Sequence, residues 1–81
     1  MDCEVRLRVQ TVLTSDPVTQ EEHIAYSVYR QDKDGGMYQH VSGWTLKDAI
    51  ENYCKWFGVE RGRIKILRPF LPQRVERYDC L

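Results

Sequence analysis

Eighty-one residues allow one domain, residues 1–81, and a domain that small buries only about 60–65% of the surface its unfolded chain exposes. With 42% hydrophobic and 30% charged residues, the chain is too apolar for disorder and too short for a second domain or a deep enclosed cleft. Formal charge is zero, 12 basic residues against 12 acidic, which argues against a dedicated non-specific nucleic-acid binder. The balance is uneven: residues 1–59 hold six Lys/Arg and nine Asp/Glu, residues 60–81 six and three.

Residues 3–13 alternate, with Cys3, Val5, Leu7, Val9 and Leu13 on one face and Glu4, Arg6, Arg8 and Gln10 on the other, the pattern of a half-buried strand. Thr14-Ser15-Asp16-Pro17 opens a loop through Glu22. A second strand runs over 23–30, with Ile24, Tyr26 and Val28 on one face and Ala25, Ser27 and Tyr29 on the other. Asp32-Lys33-Asp34-Gly35-Gly36 supplies the positive φ of a hairpin turn, and 37–44 is the third strand. Thr45 is placed as a helix N-cap, with Asp48 three residues on. Leu46, Ala49, Ile50, Tyr53, Cys54 and Phe57 then form a single apolar stripe, and Gly58 suits the left-handed residue that ends a helix. Glu60 to Arg63 turns the chain, with Gly62 as the flexible point. Ile64 and Ile66 alternate with Arg63 and Lys65 in a short fourth strand that Pro69 and Pro72 stop, and Val75, Tyr78 and Leu81 suggest a docked tail. The order β-β-β-α-β predicts an α+β domain: one amphipathic helix on one face of a mainly antiparallel three- or four-stranded sheet, the other face left to water or a partner.

The chemistry-bearing residues form no known constellation. Cysteines at 3, 54 and 80 and histidines at 23 and 40 lack zinc-site spacing, so neither metal nor disulfide is expected. Cys3 and Cys54 fall on apolar faces, where a thiol is a small core residue rather than a nucleophile, and Cys80 is read as an exposed thiol. Asp32-x-Asp34-Gly35 starts like a calcium loop, but Met37 stands at its sixth position and Gly43 at its twelfth. No glycine-rich phosphate loop is present. No catalytic group and no cofactor are therefore expected.

A working surface is the remaining possibility. Arg61, Arg63 and Lys65 alternate with Gly62, Ile64 and Ile66, and Arg6 and Arg8 alternate on the first strand, so five cations are expected together on the uncovered sheet face. Tyr26 or Tyr29 lies within reach, and Trp56, beside the helix stripe, is the candidate apolar anchor. The competing account is a solvated face with cross-strand Arg–Glu pairs, and Trp44 and Trp56 capping the edges of the core.

No family motif is present. In size and element order the chain resembles the small proteins with which phages and mobile elements block host systems, such as anti-CRISPR proteins. The resemblance implies a non-enzymatic protein-binding module that acts by stoichiometric contact, as an inhibitor or adaptor. On charge, its partner is expected to be a protein with an acidic surface; a nucleic acid on the basic face is the alternative. An exposed edge strand would support a dimer. The N-terminus lacks a signal peptide pattern and no apolar run approaches the ~20 residues of a membrane span, so a cytoplasmic location is expected.

Overall fold

The computed structural model describes residues 4–76. It is an α+β domain of five strands and one helix: β1 (Val5–Ser15), β2 (Glu22–Gln31), β3 (Met37–Gly43), α1 (Leu46–Phe57), β4 (Ile64–Ile66) and β5 (Leu71–Glu76). The sheet runs β3-β2-β1, with both pairings antiparallel, and the far side of β1 is shared. β4 pairs in parallel with Val5–Leu7, and β5 pairs in parallel further along, from Gln10 to Thr14. Among the described residues no helix is long and apolar enough to cross a membrane.

The hairpins follow from their turn residues. Asp32 Oδ1 accepts hydrogen bonds from the Asp34 and Gly36 amides, and Gly35 takes φ 82°. In the β1–β2 loop, Asp16 Oδ1 accepts from the Val18 and Thr19 amides. The helix is capped at both ends as its sequence predicts. Thr45 Oγ1 accepts from the Asp48 amide at 3.0 Å, and Gly58 is left-handed at φ 63°.

Ala49, Ile50 and Tyr53 of α1 bury against Val5, Leu7 and Val9 of β1 and Val28 of β2. Val9 and Val28 are cross-strand partners, which puts their side chains on the helix-covered face. Each such side chain contributes about 1.5–3 kcal/mol by leaving water. Close approach of helix to sheet depends on Gly43, where a Cβ would stand 2.5 Å from the Ala49 nitrogen.

Three expectations are corrected. The turn expected at Glu60–Arg63 is present, as a 3₁₀ turn over Arg61–Arg63 closed by the Arg63 amide donating to the Glu60 carbonyl, so the strand alternation expected to carry Arg61 and Arg63 outward with Lys65 does not reach them. Pairing with β1 begins at Val5–Ile64, so residues 61–63 satisfy their backbone locally. Pro72 lies inside β5 instead of ending the sheet: the register with β1 shifts there, and its carbonyl accepts from Gln10 Nε2 at 2.9 Å. The third concerns the face that α1 does not cover. It is closed in the middle, with Val12 4%, Ser27 3% and Tyr29 3% exposed. The His40 ring lies 6.3 Å from that of Tyr29 and helps to shelter this floor. Cys3, Tyr78, Cys80 and Leu81 lie outside the described residues.

Candidate partner-binding surfaces

Among the described residues no group of three or more His, Cys, Asp or Glu side chains is arranged to hold a metal. Cys54 is half-buried, packed against the core by the apolar stripe of α1.

The structure divides the basic set among separate places. Arg6 and Lys65 are cross-strand partners, and Arg8, two residues along β1, shares their face. Arg8 stands opposite Tyr29, whose buried ring is part of the sheltered floor and offers no exposed anchor. Arg6 is paired with Glu4 at 3.5 Å. Arg61 faces elsewhere, lining a cleft beside α1 with Lys47, Glu51, Cys54 and Lys55. Arg63 is half-buried in the 3₁₀ turn. The alternation argument failed for these two because it applies only to extended backbone. Trp56 is 77% exposed on α1 and neighbours His40 and Ser42 of β3, at the opposite edge of the sheet from β4 and its Lys65.

A second surface runs along that β3 edge. Trp44 is the residue before the N-cap, and its indole is 67% exposed. Asp48, Asn52 and Trp56 follow at helical spacing of four, which stacks them on one side of α1 next to the buried stripe. Asn52 Nδ2 donates to the Ser42 carbonyl at 3.0 Å and ties this side of the helix to β3. Two hollows result. One, of about 380 Å³, is lined by Ala25, Ser42, Gly43, Trp44, Asp48 and Asn52. The other, of about 410 Å³, is lined by His40, Val41, Ser42, Asn52, Trp56 and Phe57. They share Ser42 and Asn52, so the two tryptophans bound one continuous surface. The Trp44 and His23 rings meet at 70°, centroids 6.0 Å apart.

Neither tryptophan caps the core. Asp48 and Asn52 are functional candidates that sequence reasoning passed over; the signal available was the 48–52–56 spacing flanking the apolar stripe. His40, on the second face, is tilted over Tyr29 at 6.3 Å. Burial pushes its pKa below the ordinary histidine value, with Arg74 adding to the drop and Glu76 opposing it.

Neither a family model, nor a curated protein, nor a solved structure matches this chain.

Proposed function

We propose that this chain is a non-enzymatic protein-binding module that acts by stoichiometric contact, as an inhibitor or adaptor, through the surface bounded by Trp44 and Trp56. One observation carries the proposal: two large aromatic side chains, 67% and 77% exposed, flank a continuous pair of hollows. Exposed tryptophan is costly to leave in water, and tryptophan leads the residue types that dominate binding energy at protein interfaces. Their backbone is held by a capped helix and by the Asn52–Ser42 hydrogen bond, so little ordering entropy is lost on binding. The resemblance to phage and mobile-element proteins makes a component of a host defence system the first partner to try.

Arg6, Arg8 and Lys65 support a second reading, nucleic-acid binding on the basic end of the second face, because the structure places these three cations side by side. One experiment separates the two. The tagged protein is used to capture partners from its native host, and both protein and nucleic acid are identified by mass spectrometry and sequencing. Trp44→Ala/Trp56→Ala should lose a protein captured in stoichiometric amount, while Arg6→Glu/Lys65→Glu retains it. Loss only in the charge-reversed variant, with capture that collapses as salt is raised, would favour nucleic acid and refute the tryptophan surface.

A further inference from the structure

The ground around Trp44 is acidic. Asp48 lines the hollow on one side of the indole. On its other side a second hollow is lined by Thr14, Ser15, Asp16, Pro17 and His23. The Val18 and Thr19 amides bonded to Asp16 hold its carboxyl below the ordinary aspartate value, so it is charged at neutral pH. Glu21 and Glu22 are exposed on the same loop and strand start. The nearby bases are already engaged: His23 with Glu21 at 3.7 Å, and Lys47 with Glu51 at 4.0 Å. Asp48 takes part in none of the ion pairs among the described residues. The Asp48 amide is already occupied by Thr45 Oγ1, which removes one of the donors a helix start would offer an anion.

From this juxtaposition we infer that the hollow between Trp44, Asp48 and Asn52 is a recognition site for a basic side chain, the arginine or lysine of a protein partner. An indole face attracts a cation, the Asp48 carboxylate, in no ion pair among the described residues, supplies the opposite charge, and Asn52 and Ser42 line the same hollow. The inference rests on the proposed tryptophan surface and adds the partner's chemistry. It also reverses the sign of the expected partner at this surface: a basic segment docks here, whereas the acidic surface anticipated from the cations would face Arg6, Arg8 and Lys65 at the other edge.

The test uses the full chain and three capped tripeptides, Gly-Arg-Gly, Gly-Lys-Gly and Gly-Glu-Gly, titrated to millimolar concentration. The Trp44 indole N–H and Asn52 amide resonances are followed by NMR, the indole being assigned with Trp44→Phe. Arginine and lysine peptides should shift both signals and the glutamate peptide neither. Asp48→Asn should weaken binding by about threefold and flatten its salt dependence. Equal shifts from the glutamate peptide, unchanged affinity in Asp48→Asn, or no movement of the Trp44 signal would each overturn the site. Shifts that depend on protein concentration without peptide, and vanish in Arg6→Glu/Lys65→Glu, would identify a second copy as the occupant and overturn the assignment to another protein. If Asp48→Asn binds the arginine peptide as tightly as wild type while Trp44→Ala/Trp56→Ala loses a captured partner, the proposed function stands and the cation site falls. If Trp44→Ala/Trp56→Ala keeps the captured partner, the proposed function fails as well.

Discussion

At the scale of single residues, two side chains show how burial sets chemistry. Tyr53 is completely buried in the core, yet its hydroxyl reaches Gln39 Oε1 at 2.6 Å. Gln39 sits at φ 53°, where the β2–β3 register shifts, so the tyrosine steadies a backbone conformation that glutamine rarely adopts. Tyr53→Phe should cost about 1 kcal/mol, read as a lower midpoint in urea with unchanged slope. Ile50→Ala removes a side chain 3% exposed and should cost about 2–4 kcal/mol, a large share of the stability of so small a domain. An unchanged melting temperature would show that the helix does not pack as described. His40 provides a pH prediction. Its folded pKa is lowered, first by desolvation and then by Arg74, so the unfolded chain takes up the proton more readily. Stability should be constant above the unfolded histidine pKa of about 6.5 and should fall as pH drops through it toward the lower folded value. His40 keeps contact with solvent, which screens these charges and keeps the effect small. Melting temperatures of wild type and His40→Gln should run parallel above about pH 7, and the wild type should lose more between about pH 6.5 and pH 5.

At the scale of elements, the helix–β3 junction is the most constrained place in the fold. Gly43 lets the Ala49 backbone approach, and the atoms a Cβ would meet are backbone atoms that cannot rotate away. Gly43→Ala should therefore push α1 off the sheet and destabilise by about 1–3 kcal/mol, with changed near-ultraviolet dichroism from Trp44 and Trp56. Thr45→Ala, which loses only the cap, should cost about 1 kcal/mol and leave that signal intact. The contrast matters for the binding surface, since Trp44, Asp48, Asn52 and Trp56 are positioned by this one junction. Strand ends show the same dependence on partners. β4 is only three residues long because it pairs with β1 at three positions, and β5 takes over further along the same edge.

On the scale of the whole molecule, zero net charge hides an uneven distribution. Asp16 and Asp48 line hollows on either side of Trp44, while Arg6, Arg8 and Lys65 share a face over β1 and β4, away from β3. Fields of opposite sign steer different partners to different places, and their reach is about 10 Å at ordinary ionic strength. Arg6→Glu/Lys65→Glu should change stability by no more than about 0.5 kcal/mol, because both side chains are exposed. A larger loss on thermal melting would mean that the basic end holds the fold together.

What the sequence determined alone is what local chemistry decides: a loop opened by Asp16-Pro17, a hairpin turn rich in Asp and Gly at 32–36, a helix with cap, stripe and terminal glycine, and the alternation that assigns Val5, Leu7 and Val9 to the core. From these the α+β class and the single helix layer were legible. The turn at 60–63 was legible too, from Gly62, but the first paired residue of β4 was not, because extended backbone needs a partner strand, and pairing register is a property of two segments together. Nor was the sheltered floor of Val12, Ser27 and Tyr29, since burial there depends on side chains brought together from separate strands. The candidate site divides the same way. Trp56 was visible as a candidate anchor beside the apolar stripe, and Trp44 only as a cap on the core edge. That they bound one surface, with Asp48 and Asn52 between them, was decided only when α1 folded back along β3.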